Sequence, residues 1–218
     1  MSLAYPPSHP LRPSGPSLDP LSELIFTVLS QNTSDVNRDR AWAGLRRTFP
    51  TWPLVLDASS AALVRTIAPG GLANTKAPRI QAILRVVLER EGRLSLARLR
   101  RLSDDEASAY LLSLPGIGPK TATCVLAFSL DRSRLPVDTH VQRVAVRLAL
   151  AAPRSKPADT QTALEGLVPP SARVDAHVSL IAHGRGVCRA QRPLCGSCVL
   201  LDVCPSGWRF LKAGPAGG

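Results

Sequence analysis

The segment Leu114-Pro-Gly-Ile-Gly-Pro-Lys-Thr-Ala122 constrains the fold more than any other part of the chain. It separates two stretches with helical apolar spacing, at about residues 104–113 and 119–130. Gly116 and Gly118 permit a tight turn and a close approach of the backbone to another molecule. The turn leads into a helix N-terminus, where free N–H groups and the helix dipole favour an anion such as phosphate. An ordinary glycine-rich connector between helices is the alternative interpretation.

The remaining sequence also has helical rather than strand periodicity. Asp19 followed by Pro20 predicts a helix start, and Ser34 predicts the start of a second helix that ends before Pro50. No stretch alternates with period two and no βαβ pattern occurs, so the sequence predicts an all-α protein with short connections. Further helices are predicted at about 60–67, 76–92, 104–113, 119–130, 138–150, 158–167 and 173–186.

The charge balance indicates a nucleic-acid partner. Lys and Arg total 27 against 16 acidic residues, a net charge of +11, which attracts a protein to nucleic acid or to an anionic membrane. The basic residues are spread along the whole chain, which favours nucleic acid over a membrane surface. No apolar run approaches the length of a membrane span and the N-terminus lacks a signal-peptide pattern, so an intracellular, soluble protein is expected. An Arg-rich proteome is the alternative explanation of the charge.

Two residue types are distributed in an informative way. Only four of the basic residues are lysines, and only a lysine can act as an amine nucleophile. Four of the five cysteines fall within 17 residues, with the spacing Cys188-x6-Cys195-x2-Cys198-x5-Cys204. Four thiolates at this spacing predict a metal site, either zinc or an iron–sulfur cluster. The fifth, Cys124, lies on the apolar side of a predicted helix and is expected to be a buried small side chain.

Three motifs in this order resemble those of one known family. They are the hairpin segment given above, the segment Leu135-Pro-Val-Asp138-Thr-His140-Val-Gln-Arg143, and the cysteine spacing. Together they resemble the endonuclease III branch of the helix-hairpin-helix DNA glycosylases, over about residues 20–207. The resemblance implies an all-α fold with two lobes and with DNA bound across the cleft between them.

The resemblance also implies the domain boundaries. Residues 19–132 would form a helical barrel with the helix-hairpin-helix, and residues 133–210 an iron–sulfur cluster domain that carries the catalytic aspartate. Residues 1–18, rich in Pro, Ser and Gly, are expected to be a disordered tail, and residues 211–218 a flexible one.

The resemblance assigns the chemistry to Lys120 and Asp138. Lys120 would attack C1′ of a damaged nucleotide, and it must be neutral to do so. Its predicted place at a helix start and in a partly buried cleft would lower its pKa. Asp138 would stabilise positive charge on the sugar. A phosphate contact is the alternative for Lys120, and a helix N-cap, compatible with catalysis, is the alternative for Asp138.

The same resemblance implies a [4Fe–4S] cluster held by Cys188, Cys195, Cys198 and Cys204. Its expected role is structural, because it would hold a loop carrying Arg189 and Arg192 against DNA.

Two loops are expected to handle the extruded nucleotide, at residues 29–35 and 71–76. Leu72 matches the family's apolar wedge, and Asn32 stands where the best-known pattern has Gln, with Gln31 adjacent as a substitute. A core leucine and a helix-end cap are the alternatives. The full set of predicted DNA contacts is Gln31, Asn32, Leu72, Lys76, Gly116, Gly118, Thr121, His140 and Arg143.

The resemblance thus implies a bifunctional DNA glycosylase and abasic-site lyase of base excision repair that acts on oxidised pyrimidines. Its partner would be double-stranded DNA with a damaged base or an abasic site, and the protein would be a monomer at the nucleoid in the cytoplasm. One alternative is an adenine or mismatch glycosylase of the same fold without lyase activity, against which Lys120 argues. The other is a non-catalytic DNA-binding module that uses the hairpin only for phosphates.

Overall fold

The computed structural model of this chain describes residues 17–212. It divides between Arg132 and Ser133 into two compact units. All regular structure in the described range is helical, which confirms the predicted all-α class. Most of the predicted N-terminal tail and residues 213–218 lie outside the described residues. Among residues 17–212, no helix has both the length and the apolar character needed to cross a membrane.

The first unit is built from seven α-helices within residues 17–132. They are α1 (Pro20–Ser30), α2 (Asp35–Thr48), α3 (Trp52–Asp57), α4 (Ser60–Ile67), α5 (Ala73–Glu91), α6 (Asp104–Leu112) and α7 (Pro119–Phe128). The core forms around α1, whose apolar residues are almost fully buried, with α2, α5 and α7 packed against it. The apolar character all round α1 is typical of a central helix.

Local capping chemistry sets several of these helix ends. Asp19 accepts hydrogen bonds from the N–H groups of Leu21 and Ser22, at 3.1 and 3.2 Å, and Pro20 follows at the first helical position. Ser34 caps α2 through the N–H of Asn37. Both helix starts confirm the sequence prediction, since a side-chain oxygen satisfies N–H groups that have no partner inside the helix.

The structure corrects two predicted elements in this unit. The helix α5 begins at Ala73 and not near Lys76, so Lys76 lies inside its first turn. The six-residue helix α3 was not predicted, because it is too short to show a helical period.

The second unit contains four α-helices within residues 133–212. They are α8 (Thr139–Arg147), α9 (Pro157–Leu167), α10 (Arg173–Gly186) and α11 (Gly207–Lys212). A small apolar core joins α8, α9 and α10. The helices α8 and α10 meet closely at Gly184, where a Cβ atom would lie 3.0 Å from Cβ of His140. Residues 211 and 212, the first two of the predicted flexible tail, lie in α11.

Candidate functional site

Two glycines shape the turn between α6 and α7. Gly116 has a left-handed backbone, with φ 68°, and a Cβ atom on it would lie 2.5 Å from Nε of Arg79. Gly118 is extended, with φ −102°, and a Cβ atom there would meet nothing within 4 Å. Gly118 is the N-cap of α7 and has no side chain to cap it, and Pro119 has no N–H at the first position. The turn therefore places an uncapped helix N-terminus next to open space, as an anion site requires.

Lys120 is the second residue of α7 and its side chain is partly exposed. Its backbone lies at the positive end of the helix dipole, which disfavours a protonated amine nearby. The structure thus places Lys120 directly after the hairpin turn. The expected lowering of its pKa stays a prediction.

A side-chain network connects this hairpin to the end of α1. Nε2 of Gln31 donates to Oγ1 of Thr121 at 3.3 Å, and Nη1 of Arg79 donates to Oε1 of Gln31 at 3.0 Å. Thr121, predicted to contact DNA, is buried with 4% of its surface exposed. The side chain of Thr121 contacts Gln31 inside the unit, so the amide of Gln31 holds the loop against α7. The predicted DNA contact of Thr121 stays a prediction.

Asn32 and Leu72 have different properties from Gln31. Both side chains are exposed, Leu72 by 55%. Both backbones are left-handed, with φ 52° at Asn32 and 51° at Leu72, a conformation that is costly for a bulky residue such as leucine. The two segments lie close together, since a Cβ atom on Gly71 would be 4.0 Å from the carbonyl oxygen of Asn32. An exposed leucine held in a strained conformation is a feature that marks functional sites.

Lys76 is a correction to the predicted DNA contacts. It was predicted to contact DNA, but only 2% of its surface is exposed. Its Nζ donates to the carbonyl oxygens of Leu29, at 2.7 Å, and of Gly70, at 2.8 Å. Burial, with a smaller contribution from the charge of Arg79, lowers the pKa of Lys76 to about 8. The early start of α5 turns this side chain inward, which leaves it no surface for DNA.

In the second unit, Asp138 is the N-cap of α8. Its Oδ1 accepts hydrogen bonds from the N–H groups of His140 and Val141, both at 2.8 Å. Nδ1 of His177, which is buried, donates to the carbonyl of Pro136 at 2.6 Å and fixes the segment before Asp138. The carboxylate is therefore held in one orientation, as both the capping and the catalytic interpretation require.

His140 and Arg143, predicted DNA contacts, are engaged within their own unit. Nη2 of Arg143 lies 3.1 Å from Nδ1 of His140 and donates to the carbonyl of Gly184 at 2.8 Å. Nε of Arg143 donates to the carbonyl of Cys188 at 3.0 Å. Burial lowers the pKa of His140. The pair ties α8 to the end of α10 and to the first cysteine, so its role in this structure is to position the cysteine segment.

The four clustered cysteines line one cavity together with Arg147, His183 and Phe210. None of the five cysteines of the chain forms a disulfide, and Cys124 is buried as predicted. Burial raises the pKa of the Cys195 thiol, and the other three cysteines of the cavity add to the shift. The sulfurs of the other three cysteines therefore lie close to that of Cys195.

Hydrogen-bond donors already face these sulfurs. Nη1 of Arg147 lies 3.4 Å from Sγ of Cys188, and the N–H of Leu200 lies 3.4 Å from Sγ of Cys198. Within residues 17–212, no group of three or more Cys, His, Asp or Glu side chains is arranged to hold a single metal ion. An iron–sulfur cluster takes its thiolates at separate irons. The four thiols and the donors that face two of them fit a centre bound through thiolates, either zinc or an iron–sulfur cluster.

Three positioning residues were missed by the sequence analysis. Arg79 joins Gln31 to the hairpin, His177 fixes the segment before Asp138, and Arg147 donates to the cysteine segment. Their partners are 41 or more residues away in the chain, so local sequence carries no signal for these contacts.

Comparison with known sequences identifies relatives along most of the chain. Residues 25–170 match the sequence profile described as HhH-GPD superfamily base excision DNA repair protein. Endonuclease III of Thermotoga maritima is 36% identical over 186 residues, which is 85% of this chain and 83% of that protein. Endonuclease III of Escherichia coli is 34% identical over 185 residues, with the same coverage. A protein of Arabidopsis thaliana named as a DNA glycosylase is 39% identical over 165 residues, and the chain spans only 56% of its length.

Solved structures show the same fold. A trapped covalent intermediate of endonuclease III with DNA superposes with a TM-score of 0.78 and 28% identity, covering 89% of this chain and 87% of that one. A thermostable thymine-DNA glycosylase superposes with a TM-score of 0.74 at 21% identity, covering 88% and 85%, and shows the fold alone. Profile, relatives and fold agree over both units. The chain therefore belongs to the endonuclease III family within the HhH-GPD superfamily of base excision DNA repair proteins.

Proposed function

We propose that this chain is a bifunctional DNA glycosylase and abasic-site lyase that removes oxidised pyrimidines from double-stranded DNA inside the cell. The protein would act as a monomer. Family membership supports the coarser function, a base excision DNA repair protein. The finer function depends on the nucleophile and on its supporting residues.

The observation that carries the proposal is the place of Lys120. It is the second residue of α7, immediately after an uncapped hairpin turn that leaves space for a DNA phosphate. A phosphate bound at the turn would fix the DNA backbone within reach of the amine. The structure of an endonuclease III trapped covalently on DNA has this fold, which supports a covalent mechanism.

The proposed reaction begins with the neutral amine of Lys120. Its lone pair forms a bond to C1′ while the bond between C1′ and the base breaks. The base leaves with the electron pair of the broken bond and gains a proton. The sugar ring then opens to a Schiff base between Lys120 and C1′. Loss of a proton from C2′ drives cleavage of the bond between C3′ and its oxygen, so the strand breaks on the 3′ side. Water hydrolyses the Schiff base and regenerates the lysine.

Asp138 would stabilise the positive charge that develops on the sugar as the base leaves. Its carboxylate is held by two backbone N–H groups of α8, and the preceding segment is fixed by His177. A rigid negative charge needs no rearrangement during the reaction, and for that reason it is effective in a transition state.

Extrusion of the damaged nucleotide would rely on Asn32 and Leu72. Flipping a base costs a few kcal/mol in stacking and pairing, which inserted side chains offset. Both residues are exposed, and their backbones are held in a strained conformation beside each other. Leucine would fill the gap in the stack, and the Asn32 amide would face the orphaned base.

Cys188, Cys195, Cys198 and Cys204 would hold a [4Fe–4S] cluster, which supplies structural rigidity when bound. Arg147 donates to the carbonyls of Arg189 and Ala190, at 2.6 and 3.0 Å, and shapes the loop that follows the first cysteine. The arginines of this loop would then face DNA phosphates.

The test is to trap the Schiff base with borohydride on duplex DNA that contains an abasic site. Wild type should form a covalent adduct. Lys120→Ala should abolish it, and Lys120→Arg should abolish it too, because arginine keeps the positive charge but is not an amine nucleophile. Lys156→Ala is the matched control, since Lys156 is exposed and lies in the other unit.

Each outcome decides between the candidate functions. An adduct that survives in both Lys120 variants would exclude Lys120 as the nucleophile. If folded wild type binds DNA but forms no adduct, the lyase function is excluded. The remaining candidates are then a DNA-binding module and a glycosylase without lyase activity. The lesion class is tested on duplexes carrying thymine glycol, 8-oxoguanine or a G·T mismatch, of which thymine glycol should be cut fastest.

A further inference from the structure

Two segments of the first unit present the proposed plug and wedge. The Asn32 loop (residues 31–34) follows α1, and the Leu72 turn (residues 68–72) precedes α5. Three residues of these segments have a left-handed backbone: Asn32 in the first segment, and Gly71 and Leu72 in the second. Such conformations persist only where the surrounding structure holds them. Something must therefore fix both segments from inside the unit.

Lys76 bonds both to the end of α1, which leads into the Asn32 loop, and to the Leu72 turn. Its Nζ donates to the carbonyl of Leu29, in the last turn of α1, and to that of Gly70 in the Leu72 turn, at 2.7 and 2.8 Å. Leu29 is 47 residues away in the chain and Gly70 is six away. A Cβ atom on Gly70 would lie 3.8 Å from the same carbonyl of Leu29, so the two chain segments are in contact. Lys76 is thus a buried cross-link between them.

An amine is a costly group to bury at this point. Desolvation of an ammonium is expensive unless hydrogen bonds replace the lost water. An apolar side chain of the same length would fill the space without that cost, but it would leave two carbonyl oxygens unbonded. One carbonyl lies in α1, three residues before Asn32, and the other lies in the Leu72 turn, so the bonds fix the spacing of Asn32 and Leu72.

We propose that Lys76 is a positioning residue for base extrusion: by bonding to Leu29 and Gly70 it holds Asn32 and Leu72 as one rigid element. This proposal rests on the proposed function, because it assigns Lys76 to the step in which the nucleotide leaves the stack. Lys76 acts through the two exposed residues and does not itself touch DNA.

The same helix offers a matched control in Gln81. Its side chain is also buried, with 6% exposed, and Nε2 donates to the carbonyls of Val55, Leu56 and Ala58 at 3.2, 3.2 and 2.8 Å. These carbonyls belong to the end of α3 and the residue after it, which carry no predicted DNA contact. Gln81→Leu therefore removes a comparable set of side-chain to backbone bonds away from the two segments.

The experiment compares full-length wild type, Lys76→Met and Gln81→Leu. Thermal unfolding is measured first, and then binding to undamaged duplex and to duplex with a tetrahydrofuran abasic-site analogue. In Lys76→Met, the selectivity for the analogue over undamaged DNA should fall at least tenfold. The affinity for undamaged DNA should stay within twofold of the wild-type affinity. Gln81→Leu should lower the melting temperature about as much as Lys76→Met does, but it should keep the wild-type selectivity.

Borohydride trapping on abasic DNA separates positioning from chemistry. Lys76→Met should need about tenfold more enzyme for half-maximal trapping but should reach nearly the wild-type rate at saturation, because Lys120 is unchanged. Equal losses of selectivity in Lys76→Met and Gln81→Leu, or no loss in Lys76→Met, would overturn the proposal. Failure of wild type to form an adduct would instead count against the proposed function.

A second variant keeps the proposal testable if Lys76→Met does not fold. Lys76→Gln retains a donor on a side chain that is one bond shorter. It should show an intermediate loss of selectivity, about threefold to tenfold. A folded Lys76→Gln with wild-type selectivity and wild-type half-maximal trapping would contradict the positioning role.

Discussion

The guanidinium of Arg79 occupies the space that a side chain on Gly116 would need, with Nε 2.5 Å from the ideal Cβ position. Gly116 also has a left-handed backbone. Gly116→Ala should therefore lower the free energy of unfolding by about 2–3 kcal/mol, through backbone strain and the displaced arginine. Chemical denaturation measures this change.

Gly118→Ala is the control for that experiment. Gly118 is extended, and a Cβ atom on it meets nothing within 4 Å. Its effect on stability should stay below about 1 kcal/mol, although the added methyl group should weaken binding to undamaged DNA at the hairpin. Equal destabilisation by the two substitutions would mean that neither the left-handed backbone of Gly116 nor the neighbouring Arg79 disfavours a side chain there.

A substitution at Leu72 should change DNA selectivity without lowering stability. Leu72→Gly relieves the strain of a left-handed leucine, which offsets the greater entropy of glycine in the unfolded chain. Its stability should therefore stay within about 0.5 kcal/mol of wild type, or rise. Selectivity for abasic-site over undamaged DNA should fall at least tenfold, as measured by competition binding. Leu54→Ala, at a leucine exposed to a similar extent in α3, should leave that selectivity unchanged.

Lys76 should make stability depend on alkaline pH. Its pKa is about 8 in the folded protein and 10.5 in the unfolded chain. Below pH 8 both states are protonated and the cost of the buried charge is fully present. Between pH 8 and 10.5 the unfolded state binds more protons, so stability rises with pH. The unfolding free energy of wild type minus that of Lys76→Met should increase by about 2 kcal/mol from pH 7 to 9.5.

The pH window ends at 9.5 because of Tyr110. Burial raises the pKa of Tyr110 to about 12, so above pH 10 its ionisation favours the unfolded state in both proteins. A difference between wild type and Lys76→Met that stays constant from pH 7 to 9.5 would show that Lys76 titrates normally and is not buried as described.

Because four cysteines line one cavity of the second unit, we expect a brown, iron-containing protein. Anaerobically purified wild type should carry about four irons per chain and absorb broadly in the visible range. Cys198→Ala should lose the absorbance and most of the iron. Cys124→Ala should keep both, because Cys124 is buried in α7, in the other unit. A colourless wild type with bound zinc would contradict the cluster.

Sequence predicted those parts of the fold that depend on local chemistry. The N-caps Asp19 and Ser34 and the hairpin glycines set helix ends that the structure confirms. Lys76 was misplaced because its partners, carbonyls of Leu29 and Gly70, become neighbours only after folding. The family resemblance put Lys76 in a loop that handles DNA, whereas its amine bonds to two backbone carbonyls inside the unit.

The candidate site, like the fold, was predictable from the sequence only in part. The cysteine spacing and the segments around Lys120 and Asp138 are visible in the sequence. The network of Gln31, Arg79 and Thr121 is not, because each contact joins residues at least 48 positions apart. Long-range hydrogen bonds between polar side chains leave no periodic pattern, so only the three-dimensional structure separates residues that face DNA from those that position them.

The most direct test of the central claim is to locate the covalent adduct on the chain. Wild type trapped with borohydride on abasic DNA is digested with nuclease and trypsin and analysed by tandem mass spectrometry. A modified Lys120 resists trypsin, so the sugar remnant should lie on an uncleaved peptide spanning residues 102–132. A remnant on any other lysine or on the N-terminal amine would contradict the assignment of Lys120 as the nucleophile.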